Sequence, residues 1–353
     1  MVSKNGCIIW VATEPSPKRG LKGNPMRKET KTQTHKAVQS SVATGYHAGS
    51  YSTDVNYAFL GFTENLYFTS DRTKKLDANF KLEDGSPLKG YGLEIELESS
   101  KICDDNALAF TLKHLAFQQL PQNLFKFQHD GSLGGQSSTE AITQVMTKEF
   151  VRNNYGGFKY MFEIFKVFGV SATRTGNCGM HCNMSVGLFG KDAAKQKEAI
   201  MKFIYFINSN YRLSCDLVKR KAERTGFCAQ MSQFANKEYC KAFDLSSTSE
   251  FQSNHHVCFN YAHFNTGRIE LRLVGGQADY FAFRNTMEVI FQLVDAVKRL
   301  SWKDMDNLEK VFEGCNKYVM KRLMDCVANN TMSQAQYDAI LAKSDTETDF
   351  GNC

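Results

Sequence analysis

None of the eleven cysteines forms a Cys-x-x-Cys pair, no Walker-type Gly-rich loop with its lysine is present, and no stretch approaches the roughly 18 consecutive apolar residues of a membrane span. These absences exclude a standard zinc ribbon, a P-loop nucleotide site and a transmembrane helix. An odd number of scattered cysteines also argues against a disulfide framework, so the thiols are read as reduced and mostly buried. At the start of the chain, Ile8-Ile9-Trp10 is too short an apolar run for a signal peptide, and the protein is expected in the cytoplasm without membrane association.

Basic surplus is also missing from most of the chain. Residues 1 to 36 hold eight Lys or Arg against Glu14 and Glu29, which accounts for the whole formal net charge of +6. The body is therefore balanced and gives no general case for nucleic-acid binding. A basic tail can touch nucleic acid or an acidic partner by counterion release, but its Lys, Ser, Thr and Gly composition reads first as a flexible, solvated end. Cys178, His181 and Cys182 could suggest a zinc corner, with Cys228 or Cys240 as a further ligand. Strand alternation points His181 and Cys182 to opposite faces, which argues against a shared metal.

What is present is alternation. Leu93-Glu94-Ile95-Glu96-Leu97-Glu98 places three carboxylates on one strand face and three aliphatic side chains on the other. Met180-His181-Cys182-Asn183-Met184-Ser185 and Arg268-Ile269-Glu270-Leu271-Arg272-Leu273 repeat the pattern with different polar residues. In a single antiparallel sheet these segments would gather carboxylates, an imidazole and a guanidinium on one face. Oxygen-rich sites suit divalent cations, and an arginine fork grips phosphate bidentately, so magnesium with a nucleotide is the economical reading.

Around these strands the spacing predicts helices over Asn106 to Gln119, Lys148 to Phe168, Ala193 to Arg224, Phe281 to Leu300, Asp304 to Val327 and about Ala335 to Leu341. Short strands are expected at Tyr57 to Phe62, Leu66 to Phe68 and Phe125 to Gln128, and a frayed tail at Asp345 to Cys353. Strands interrupted by helices, several with one polar face, define an α+β domain with an antiparallel sheet and helices on its apolar side.

Gly92-Leu93-Glu94-Ile95-Glu96, Asp130-Gly131-Ser132-Leu133 with Glu140-Ala141-Ile142-Thr143, Cys178-Gly179-Met180-His181 and Ile269-Glu270-Leu271-Arg272 together resemble the ordered signature of the amidoligases. That family belongs to the carboxylate-amine ligase superfamily of glutamine synthetase and glutamate-cysteine ligase. The resemblance runs from about Lys89 to Leu300. It implies a curved antiparallel sheet of the glutamine synthetase-like type that binds ATP and magnesium. Carried over to this chain, it makes Glu94, Glu96, Glu140, His181 and Glu270 metal ligands. Arg272 would contact the transferring phosphate, Asp130 would stand at the lip of the site in a catalytic role, and Arg224 would meet nucleotide or an acidic substrate. Asn183 stands where the family usually has a second histidine, and the proline that often follows the Glu140 strand is missing after Thr143.

The implied activity is ATP-dependent joining of a carboxylate to an amine, on small molecules or on a peptide. The alternative is a non-catalytic structural or interaction protein that keeps the ligase fold. The expected organisation is a basic flexible tail at 1–50, a strand-rich extension at 51–88, the amidoligase-like domain at 89–300 and a helical extension at 301–353. Small amidoligases with such tails fit a bacteriophage genome, in which case the cytoplasm is the host's. Deleting residues 1–45 is expected to leave the melting temperature and nucleotide affinity nearly unchanged. Collapse of the thermal transition on truncation would identify the segment as structural instead.

Overall fold

The computed structural model describes residues 62–102, 104–130, 133, 137–172, 178–221, 228–246, 256–277 and 279–347, together with the strands Val2–Lys4 and Cys7–Ile9. Those two strands pair antiparallel with each other, a local hairpin inside the segment read from its composition as a tail. Two-stranded hairpins have little stability alone. The strand expected to begin at Tyr57 lies outside the described residues up to Phe62.

A largely antiparallel sheet of ten strands organises the rest. Its longest strand, Tyr91–Ser99, occupies the middle. Met180–Ser185 pairs along one edge of it with His181 opposite Glu94, and Ser138–Thr143 along the other with Glu140 opposite Glu96. Beyond these lie Arg268–Leu271, with Glu270 opposite Asn183, and Phe125–Gln128, with Gln128 opposite Glu140. A hairpin of Leu66–Phe68 and Thr73–Lys75 extends the sheet, held to Val145–Met146 by a parallel pairing.

One face of the sheet is the hydrophobic core. Leu93, Ile95 and Leu97 are fully buried, as are Met180, Cys182 and Met184 on the neighbouring strand. The helices Tyr155–Val167, Ala193–Ser209 and Tyr280–Arg299 supply the opposing side chains. The Tyr91 ring meets Phe291 edge-on at 4.8 Å, and Phe158 and Phe162 both pack on Phe283. A single apolar cluster runs from Leu66 to Ile340, so the helices Lys317–Ala328 and Gln334–Leu341 share this core.

Several helices are shorter than their apolar spacing suggests, and asparagines account for much of the difference. The spacing over Lys148 to Phe168 is split into Lys148–Asn153 and Tyr155–Val167 at Asn154, whose amide donates to the Phe150 carbonyl at 2.8 Å. Asn210 likewise ends Ala193–Ser209 by donating to the Phe206 carbonyl, and Tyr211–Leu217 follows in a new direction. The single helix expected from Ala193 to Arg224 therefore does not form over the described residues. A side chain that satisfies a carbonyl one turn back competes with the next helical turn. Between Asp304 and Val327, Asn307 and Asn316 each cap a separate helix, and Gly314 turns with φ +67°. The helix beginning at Asp105 widens into a π turn over Leu112–Ala116 and stops before Pro121. Near the C-terminus, Asp345 is held rather than frayed, its N–H donating to the Cys315 carbonyl at 2.8 Å.

One buried charge ties three of these segments together. Glu288 is fully enclosed and accepts from Arg152 Nε at 2.9 Å and Nη2 at 2.6 Å, from the Tyr155 hydroxyl at 2.7 Å and from Asn316 Nδ2 at 2.8 Å. Every lone pair that burial would strand has a donor. Glu288→Ala leaves the guanidinium and two other donors, the Tyr155 hydroxyl and the Asn316 amide, without their acceptor, and an unfolding free energy lower by about 3 kcal/mol is expected. Urea titration of the two proteins measures it, and a loss below about 1 kcal/mol would show that the network relaxes without cost.

Candidate functional site

The opposite face of the sheet is acidic because period-two alternation holds through all the central strands. From the Tyr91–Ser99 strand it receives Glu94 and Glu96; from its neighbours come His181, Asn183, Glu140 and Glu270, with Arg272 just past the end of the Arg268–Leu271 strand. His181 stands at the centre. Its Nδ1 lies 3.3 Å from Glu94 Oε2 and 3.4 Å from Glu270 Oε1, and its Nε2 lies 3.8 Å from Glu96 Oε1. The structure thus brings together all five residues singled out as metal ligands. Cys182 points into the core, away from His181, so those two cannot share a metal ion.

Oxygen and nitrogen ligand atoms of Glu94, Glu140 and His181 come within 4.8 Å of one another, and so do those of Glu96, Asp130 and Glu140. The two clusters share Glu140. Asp130 therefore belongs to the cage itself rather than to its lip. Glu98, third carboxylate of the alternating strand, is enclosed between Ser138 and Ser171 and lies beyond the cage.

The electrostatics follow from burying this much negative charge. Burial alone would raise Glu94, but the hydrogen bond and charge of His181, the Asn183 amide at 2.7 Å and Arg268 outweigh it and hold the carboxyl at about 2. Glu96 is pushed up, chiefly by burial and further by Asp130; His181, the Gly179 N–H and Arg220 offset part of the rise. Glu140 is driven well above the usual carboxylate range, first by burial and then by Glu94, Glu96, Asp130 and Glu270. Its Oε2 is buried and has no hydrogen-bond partner among the described residues. Burial works against the charged His181 ring, yet Glu94, Glu96 and Glu270 raise it on balance. A carboxylate face with one member held well above its ordinary range and, among the described residues, one oxygen unpartnered is suited to a cation.

Arg272 and Glu270 form an ion pair at 2.5 Å, and Asn260 Nδ2 donates to the second Glu270 oxygen at 3.2 Å. Arg224 lies outside the described residues. The neighbouring Arg220, which the sequence presents as one more charge in Lys219-Arg220-Lys221, is instead buried: its guanidinium donates to the carbonyls of Leu273, Arg272 and Val274. It presses against Gly179, where a Cβ would come 3.0 Å from Arg220 Nη2 and 3.4 Å from Glu96 Oε2. Glycine there lets its N–H reach Glu96. No local sequence signal distinguished Arg220 from its basic neighbours. Lys126 was also missed, although Phe125-Lys126-Phe127-Gln128 alternates visibly and points Lys126 toward the acidic face.

Fold and site together define a mixed α+β protein whose largely antiparallel sheet carries helices on one face and a carboxylate–imidazole cage on the other. No protein-family model matches the chain, and no curated protein does. Among solved structures, a bifunctional glutathione synthetase from Pasteurella multocida aligns over 72% of this chain and 46% of its own length, at 11% identity and a TM-score of 0.29. So low a score carries no argument about fold or function, and the site stands on its own geometry.

Glu140→Gln tests the cage directly. Without divalent cation the variant is expected to melt at or above the wild-type temperature, since an amide removes a disfavoured charge and can donate to its neighbours. With magnesium or manganese at 100 times the dissociation constant, the wild type should gain about 2.7 kcal/mol, and the variant far less. Equal gains in thermal melts would remove Glu140 from cation binding.

Proposed function

We propose that this chain is an ATP- and magnesium-dependent amidoligase that joins a carboxylate to an amine through an acyl phosphate, with a small molecule or a peptide as substrate. The observation that carries the reading is the sharing of Glu140 between two ligand clusters on one buried face. The ordered motifs that resemble the amidoligases supply the chemistry to which such a face belongs, and with them a glutamine synthetase-like form of the antiparallel sheet.

The donor set fits magnesium: hard carboxylate oxygens, an excess of negative charge and an unpartnered Glu140 oxygen. Glu94, Glu140 and His181 would hold one ion, Glu96, Asp130 and Glu140 a second, with Glu270 beside His181. Bound there, the ions supply neutralisation of phosphate charge. The chain's own groups do the rest. Arg272, oriented by Glu270, offers its fork to the phosphoryl group as a carboxylate oxygen of the substrate attacks the terminal phosphorus and ADP leaves. The amine then attacks the acyl carbon, phosphate departs with its bonding electrons, and the nitrogen loses its extra proton. Asn183, in place of a histidine, steadies Glu94 through its amide.

Among the described residues no helix is long and apolar enough to cross a membrane. The proposal places the enzyme in the cytoplasm, the host's if the chain is viral, and leaves the basic N-terminal segment as a partner contact. A non-catalytic protein would use Arg272 only to neutralise Glu270. Incubation with ATP, magnesium and pools of amino acids and peptides, followed by mass spectrometry, should reveal a joined pair lighter by one water. Arg272→Lys keeps the charge but loses the planar fork, so ligation should fall roughly a hundredfold or more while folding survives. A variant that ligates like the parent removes Arg272 from the mechanism, and a wild type that ligates nothing favours the structural role.

A further inference from the structure

Among the described residues, Lys126 is a cation on the acidic face that no cage carboxylate touches. Lys126 sits on the Phe125–Gln128 strand opposite Ile142, which is itself opposite Glu94. Two strand spacings of about 4.8 Å separate its backbone from that of Glu94, a gap that a lysine side chain spans most of. Its ammonium lies 5.4 Å from the centre of the Phe62 ring and makes no hydrogen bond or ion pair with any described residue. Glu140 and Glu94 act on it through space, and burial pushes the ammonium below its ordinary range.

This arrangement differs from that of the other cations at the site. Arg272 rests on Glu270, and Arg220 is held by three carbonyls. A lysine present only to balance the carboxylates would lie in contact with one of them. Lys126 has given up water along much of its length, and among the described residues its ammonium gains only the face of the Phe62 ring, with no hydrogen bond or ion pair, an arrangement that an anion would complete. Beside it the face turns apolar: Ile142 projects among the carboxylates half-buried, and Gly92 contributes no side chain. An anion with an apolar body suits that ground better than a bare ion does.

We propose that Lys126 anchors a phosphate oxygen of the bound adenine nucleotide, on the side of the cage away from Arg272. The inference rests on the ligase reading. It assigns the nucleotide to the Lys126–Ile142 side of the sheet and leaves the Arg268–Arg272 strand side for the acid substrate. A point charge on a flexible stem suits a phosphate that stays with the nucleotide, whereas the planar fork of Arg272 suits the group in transfer.

The test is equilibrium binding of ADP and of adenosine, with magnesium present, to the wild type, Lys126→Met and Lys126→Arg. Methionine keeps the apolar stem over Phe62 and removes the charge. ADP affinity should fall at least tenfold in Lys126→Met and largely return in Lys126→Arg, while adenosine binding stays within twofold. Because Lys126 acts on the cage carboxylates only through space and touches none of them, a magnesium-dependent rise in melting temperature should persist in all three proteins, which also certifies that the variants fold. Unchanged ADP affinity in Lys126→Met, an equal loss for ADP and adenosine, or a defect confined to the KM of the acid substrate overturns the assignment and leaves the ligase reading standing. A wild type that binds cation but no adenine nucleotide overturns both.

Discussion

Mutual repulsion among carboxylates crowded around His181 is the constraint on which the rest of this structure depends. Glu94, Glu96, Glu140, Glu270 and Asp130 converge on one face of a sheet whose other face is a dry core. The chain manages the charge in part: His181 and Asn183 settle Glu94, Arg272 settles Glu270, and the Gly179 N–H with Arg220 moderates Glu96. Glu140 receives less: its Oε2 has no hydrogen-bond partner among the described residues, and Lys126 acts on it only through space. A fold selected for stability alone would replace it with an apolar residue, because a buried carboxyl surrounded by like charge is a net cost. Its place at the junction of both clusters supports the proposed cation site.

Holding such a face together requires a rigid support. The alternation that exposes Glu94 and Glu96 buries Leu93, Ile95 and Leu97, and the helices beneath lock those side chains against Phe and Met partners. Glu288 contributes from farther away by joining the helix that starts at Lys148, the long Tyr280–Arg299 helix and the turn before Lys317. Strain at the site is thus opposed by packing spread over the whole core, as a preorganised electrostatic site requires. Two glycines fit the same logic. Gly179 admits an N–H to a carboxylate, and Gly276 passes so close to the Ala172 carbonyl that a Cβ would stand 1.5 Å from its oxygen.

The face is also asymmetric. Arg268 and Arg272 lie on and just past the strand that carries Glu270, with Asn260 on the adjoining strand Phe259–Asn260, while Lys126 and Ile142 occupy the other side of the Glu94 strand. The proposed reaction, which would bring a nucleotide and an acid together across a cation cage, calls for two chemically different approaches, and this asymmetry, set by strand order alone, is compatible with it.

The sequence by itself determined what each strand would show to either side. Side-chain direction has a period of two and is written locally, so Leu93-Glu94-Ile95-Glu96, Met180-His181-Cys182-Asn183 and Ile269-Glu270-Leu271-Arg272 were legible as half-apolar strands, and the core underneath them with it. Helix ends were less legible, because Asn154 and Asn210 act through side-chain bonds to carbonyls one turn back that apolar spacing does not register. Only the tertiary structure decided the pairings. His181 lies 87 residues from Glu94 in the chain, and a register shifted by one residue would have turned one of them into the core. The sharing of Glu140, the burial of Arg220 and the isolation of Lys126 arise from the same source: each depends on which strand or loop came to lie alongside, and residue type alone carries no record of its neighbours in space.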